Sequence, residues 1–237
     1  MKNLLGLLIS VALGILIVLA LDVSESFPDF GSVEVSERVA EEYFDEDNVN
    51  EVGSGNIVTA VVVGYRGFDT LGEVTVLFIS ALGVALIIGS SKNQKRLDLK
   101  FKPNFMLKTG SRIVFGIILI TSLYIITHGH LTPGGGFPGG AMIASGMLLL
   151  YLADDEFRSN IKGFKILEGL AGSLFVVIGL LGLLLATYFL QNFLPTGAVG
   201  DLLSAGIVPI IYILIGLKVG SEISGVIDNF LTEEESA

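Results

Sequence analysis

The chain has 237 residues, of which 51% are hydrophobic and only 16% charged, with a mean hydropathy of +0.75. That is far from a soluble domain and fits a chain that crosses a lipid bilayer several times. The lack of cysteine excludes disulfide frameworks, Cys-ligated zinc and thiol chemistry, while the net charge of −10 informs through its uneven placement rather than its size.

Residues 1–21 open with Lys2 and run apolar as far as Asp22. A secretory signal has an apolar core of only about 7–15 residues and a small-residue cleavage site. Ala20-Leu21-Asp22 is a poor one, so a retained anchor is expected. Residues 22–54 then carry eleven Asp or Glu against a single Arg38, and such a stretch stays out of lipid. Residues 56–64 are apolar but about half the ~20 residues a spanning helix needs. They read as a short surface or re-entrant helix leading into Tyr65-Arg66-Gly67-Phe68-Asp69, and a second span is expected over 70–90.

Residues 91–112 hold Lys92, Lys95, Arg96, Lys100, Lys102, Lys108 and Arg112, half of all the Lys and Arg in the chain. Positive charge collects on the cytoplasmic side, so this linker is expected inside. With Pro103, it also marks a boundary between a two-helix module, 1–95, and a four-helix domain, 96–237. Further spans follow at 111–127, 136–152, 166–190 and 202–219. The loops 128–135 and 191–201 fall outside, and 153–165 and the C-terminal tail fall inside. The expected fold is thus all-α: a polytopic membrane protein of about six transmembrane helices, both termini cytoplasmic. Glycine, 30 residues in all, lies largely within the spans, where small residues let helices approach closely. Partner subunits are the natural use of so much small-residue surface, with ordinary packing within one chain as the alternative.

Ionisable residues in or beside spans are functional candidates by default. Arg66, Asp69 and Glu73, at i, i+3 and i+7, share one helical face and could form a pre-neutralised cation site. Equally, Thr70-Leu71-Gly72-Glu73 fits a capping box at a helix start. The segment from His128 to Gly140 carries two alternating histidines, then five Gly and two Pro, so it breaks regular helix. Four readings of it stand: a metal site, though a third ligand is missing; a phosphate-cradling loop, though no Lys-Ser/Thr follows; a proton or cation relay through His128 and His130; or a structural turn. Lys165 with Glu168, and Lys218 with Glu222, read as interfacial ion pairs with snorkelling lysines, and Asp201 as an N-cap. No Ser/His/Asp set, metal-ligand spacing or nucleotide fingerprint occurs. No catalytic residue, cofactor, metal or nucleic-acid partner is therefore expected.

Two of these segments resemble a known family. Residues 65–73, with Arg66-Gly67-Phe68-Asp69-Thr70-Leu71-Gly72-Glu73 at their centre, resemble the stretch near the C-terminus of the large subunit of Mrp-type sodium/proton antiporters. His128–Gly140, with Pro133-Gly134-Gly135-Gly136-Phe137, resembles the signature of the small B subunit of the same systems. The Mrp antiporter keeps these parts in separate chains, whereas the Mrp-like modules of archaeal membrane-bound hydrogenase and sulfane-sulfur reductase carry a similar fusion. The resemblance implies a non-catalytic, multi-pass subunit of the cell membrane that works with other membrane subunits of an Mrp-like complex to exchange Na+ for H+. A neighbouring redox module would supply the energy, and a stand-alone antiporter or a purely structural scaffold would be the alternatives. It further implies that the Asp69/Glu73 region lines the ion path, to which Arg66, His128 and His130 are added as candidates.

Overall fold

Charge is absent from long stretches of this chain, and those stretches form the fold. The computed structural model describes residues 51–88, 94–96 and 102–234, together with scattered helical positions between 9 and 19; for 94–96 and 232–234 only the backbone is described. The chain divides into two compact units, Met1–Asp45 and Glu46–Ala237. The anchor expected over 1–21 and most of the acidic segment 22–54 lie outside the described residues.

In the second unit a short helix α1 (Ile57–Thr59) passes into a π-helix (Ala60–Tyr65), followed by α2 (Gly67–Ile88), strand β1 (Gln94–Arg96), α3 (Phe105–Thr127), α4 (Gly136–Ala153), α5 (Ile161–Leu185), α6 (Val208–Phe230) and strand β2 (Thr232–Glu234). Helices α2 to α6 are each long and apolar enough to cross a membrane. The fold is that of an all-helical, multi-pass membrane protein, with one very short two-stranded ladder added.

Helix α6 is the hub: α2, α3, α4 and α5 all pack against it. Across its most apolar stretch 61% of residues are buried, against 6% for α2. Its inward face carries Val208, Ile211, Ile215 and Val219, which join Val74, Ala171 and Phe175 in the core. Glycines bring the α4 backbone onto it. A Cβ on Gly140 would lie 2.8 Å from the Gly216 carbonyl oxygen and 2.9 Å from Val219 Cβ. In lipid such close packing, not escape from water, is what holds helices together.

The helix boundaries differ from the sequence expectation for identifiable reasons. Asn104 and Asn160 cap α3 and α5, accepting from the backbone N–H of Leu107 and Gly163. Both helices therefore start before the charges that had been kept out of lipid. Helix α5 stops at Leu185 rather than 190 because Phe189 and Leu190 fold back along it. The Leu190 N–H reaches the Gly179 carbonyl at 3.2 Å, and a Cβ on Gly179 would lie 2.3 Å from the Phe189 ring. Helix α6 starts at Val208, with Pro209 in its first turn, where the missing N–H is harmless. Asp201 is thus not its N-cap; Ile207 holds that position.

The capping box at Thr70 does not form. Helix α2 begins at Gly67, so Thr70 is already inside it, and its hydroxyl donates instead to the Val62 carbonyl at 2.6 Å. That carbonyl lies in the π-helix, whose wider i→i+5 spacing leaves oxygens without the usual helical donor. Thr70 therefore stitches the two helices together.

Polar contacts gather at the two ends of the bundle. At one, Asp154 receives Arg112 at 2.8 Å and Lys108 at 3.2 Å, and Lys108 also reaches Asp155. Nearby in sequence to Arg112 and to the chain terminus, β1 pairs antiparallel with β2, Lys95 opposite Glu233. The basic linker is thereby tied both to the α4–α5 connection and to the segment after α6.

Candidate functional site

The opposite end holds the histidine segment. Helix α3 closes at His128, whose ring stacks on Tyr124 with centroids 4.2 Å apart. Its Nδ1 lies 3.1 Å from the Tyr124 carbonyl oxygen and 3.0 Å from Thr127 Oγ1. The chain then reverses through Pro133 to Gly135, the last at φ 134°, a conformation that favours glycine. Helix α4 starts immediately after, without a side-chain cap.

His130 points the other way. It is fully buried, and neither ring nitrogen meets a hydrogen-bond partner among the described residues. Burial pushes its imidazole below the ordinary value of 6.5. The backbone of Asp201 and Leu202, beside the ring, works against that shift without completing a hydrogen bond, and the His128 charge adds to it. The two histidines therefore occupy different surroundings. No group of three or more His, Asp or Glu fit to hold a metal occurs among the described residues.

The short helix from the first part of the chain seals this end. Asn56 donates through Nδ2 to the carbonyls of Gly129 and Thr132, at 2.8 and 2.9 Å, while its Oδ1 caps α1 by accepting from Val58 N–H. Thr59 Oγ1 lies 2.7 Å from the Gly129 carbonyl, to which it donates, and 2.8 Å from the Tyr212 hydroxyl. Sequence reading passed over Thr59 and Tyr212. Their one signal was a hydroxyl in an otherwise apolar run, which needs a partner once buried.

Arg66, Asp69 and Glu73 separate into a pair and a single residue. Arg66 Nε donates to Asp69 Oδ2 at 2.6 Å, with Nη2 at 2.5 Å from the same oxygen, on an exposed surface. Glu73 stands one turn further along α2, also exposed, and no ion pair forms at it among the described residues. With the capping box gone, its carboxylate meets no partner among the described residues. Helix α2 presents Phe68, Val76, Ile79, Leu86 and Ile87 outward beside it, each more than 60% exposed. A carboxylate on such a face is costly in lipid unless another group covers or wets it.

Lys218 and Glu222 do form the expected i,i+4 pair, at 3.1 Å, but with side chains only 10% and 1% exposed. They lie inside the bundle rather than snorkelling at its edge. Glu168 and Lys165 do not form the expected ion pair among the described residues; Glu168 lies within electrostatic reach of Lys218 on α6 as well as of Lys165.

Residues 106–225 match the model of a domain related to the MnhB subunit of Na+/H+ antiporters. The chain belongs to this MnhB-related family. Residues 6–92 match a second model, MbhE, which describes one of the subunits of MBH, so the match changes within the basic linker. Among relatives of this MnhB-like chain, the Methanocaldococcus jannaschii protein MJ1307 is 32% identical over 69% of this chain and 72% of its own. The B subunit of the Na(+)/H(+) antiporter of Alkalihalophilus pseudofirmus is 41% identical over 43% of this chain and 69% of its own. A chain of the membrane-bound sulfane sulfur reductase, an archaeal respiratory membrane complex, superimposes with a TM-score of 0.74 at 44% identity, covering 98% of this chain and 99% of that one. The antiporter and reductase relatives are subunits of larger membrane assemblies, which agrees with a subunit role here.

Proposed function

We propose that this MnhB-like chain is a non-catalytic membrane subunit of the Na+/H+-translocating, Mrp-like module of a redox-driven respiratory complex. The observation that carries the reading is the likeness, over almost the full length of both chains, to a subunit of the sulfane sulfur reductase complex. Identity favours the respiratory complex over a stand-alone antiporter: 44% with the reductase subunit over 98% of this chain, against 41% with the antiporter B subunit over 43% of it. In this reading the chain has no active site of its own, and the parent complex is an ion-translocating oxidoreductase.

Residues 1–95 act as the part similar to the end of the large antiporter subunit, and 96–237 as the domain similar to the small B subunit. Both termini and the basic linker lie on the cytoplasmic side. The ion path runs past Arg66, Asp69 and Glu73 on α2 and past His128 and His130 in the turn between α3 and α4. Support comes from Glu73: an exposed carboxylate on an apolar helix face, without an ion pair among the described residues, gains from a partner surface and a cation.

The test uses the assembled complex in proteoliposomes. Glu73→Gln should leave assembly and electron transfer to soluble dyes intact while strongly lowering Na+-dependent proton movement, with Glu73→Asp between. Full translocation by an assembled Gln variant would remove Glu73 from the ion path. Robust Na+/H+ exchange by the isolated chain would overturn the subunit reading itself.

A further inference from the structure

One charged cluster lies within the apolar bundle, apart from the residues considered for the ion path. Lys218 and Glu222 sit one turn apart on α6, Nζ to Oε2 at 3.1 Å. The other carboxylate oxygen of Glu222, Oε1, is buried and meets no partner among the described residues. Glu168 approaches from α5, within electrostatic reach of both. From α2, Phe78 places its ring 5.0 Å from the Lys218 ammonium, a cation–π contact that holds the charge without neutralising it.

The cluster faces open space. Glu168 and Lys218 line a cavity of about 240 Å³ between α2, α5 and α6. Glu168 and Glu222 line a second, of about 310 Å³, together with Lys165, Ser221 and Asn229. Glu168 borders both, so it stands between them. Among the described residues α2 contributes no ionisable side chain to either cavity, and Lys165 is the remaining charged lining residue.

Inside the bundle two carboxylates share one buried ammonium, Lys218, which leaves one negative charge uncompensated there when all three are ionised; Lys165, exposed at the rim of the second cavity, acts on Glu168. In an apolar bundle that imbalance favours uptake of one positive charge. A metal cation would need a shell of oxygen ligands and would lie against the ammonium. A proton needs only one free carboxylate oxygen, and Glu222 Oε1 is one.

We propose that Glu168, Lys218 and Glu222 form a site for a single exchangeable proton, loaded and released through the two cavities that Glu168 borders. The proton adds to a carboxylate oxygen while Lys218 stays an ammonium, so the cluster alternates between neutral and singly negative. This deepens the reading of the chain as part of a proton-translocating module and rests on it. Its test, however, follows protonation rather than transport.

The measurement is pH-difference infrared spectroscopy of the complex containing the full chain, which reads the C=O stretch of protonated carboxyl groups. Expected is a band that disappears as pH rises and is absent from Glu222→Gln, with its midpoint moved in Glu168→Gln. Lys218→Arg, which keeps the charge and changes its distance, should retain the band and shift its midpoint. Native-like spectra in both Gln variants, or an unmoved midpoint in Lys218→Arg, would overturn the site. So would loss of the native band on adding Na+ at fixed pH, which would make sodium the occupant. Absence of Na+/H+ exchange with the infrared titration intact would count against the functional reading and leave the proton site standing.

Discussion

Ser54 donates its hydroxyl proton to the main-chain carbonyl of His130, 2.8 Å away, and so fastens the first part of the chain to the histidine turn of the second. The Asn56 N–H reaches the same carbonyl at 3.1 Å. Two donors from one short segment thus share a single acceptor far away in sequence, and the geometry of the turn depends on both.

Replacing Asn56 with Ala removes two donors to the turn and the cap of α1 together. Buried or half-buried carbonyls left short of a donor cost about 1–3 kcal/mol. The expected outcome is a lower midpoint of thermal unfolding in detergent, with Val58→Ala, an exposed neighbour, unchanged. Equal midpoints would mean that these hydrogen bonds do not hold the two parts together.

His130 gives the chain a defined response to acid. Its imidazole titrates below the ordinary value of 6.5 because it is buried, so between those two values the unfolded chain binds more protons than the folded one. Stability from this group is complete above 6.5 and is lost as pH falls through the folded value. His130→Gln should flatten the acid side of the stability profile. A variant that loses stability with acid as the native chain does would assign that loss to other groups.

Glycine at 140 is a packing requirement, whereas glycine at 72 is not. A methyl at Gly140 would press on the α6 backbone, while one at Gly72 would meet nothing within 4 Å. Gly140→Ala is expected to cost about 1–3 kcal/mol through overpacking, and Gly72→Ala to cost nothing. The comparison can be made by thermal unfolding of the two variants side by side.

Topology is open to direct labelling because the native chain has no cysteine. Ser54 is unsuited, being fully buried, but Ala198 and Glu156 are exposed in opposite connections. Ala198→Cys should react with an impermeant thiol reagent from outside intact cells, and Glu156→Cys only after permeabilisation. The reverse pattern would invert the proposed orientation.

The apolar runs were legible in the sequence because composition alone decides which segments can enter lipid. Their ends were less so. Lys108 and Arg112 argued against a helix beginning at Phe105, yet both charges are met by Asp154 at the end of α4, a contact no local pattern announces. Asp201 has the chemistry of an N-cap, but the backbone turns at Ala205 and Gly206, both at positive φ, and the helix starts later. For Lys218 and Glu222 the spacing was visible and the burial was not, since burial depends on α2 and α5 closing over them. Glu73 stood out by its place at the border of a span and gained an ion-path role from the resemblance, while its separation from Arg66 and Asp69 shows only in the pair those two form with each other.

Helix α2 buries little of itself against the hub, and its outward face carries Glu73 and Phe68. Joined through the linker between Ile88 and Phe105, it cannot drift from α6 however modest that contact. A tether of this length turns an encounter between two molecules into one within a molecule, at an effective concentration on the order of millimolar. The fused chain therefore needs no large interface between its two parts, and most of the α2 surface stays free for neighbours. Cut at the linker, the same two parts would have to find each other at cellular concentration, with the clasp around His130 left to hold what the peptide bond now holds.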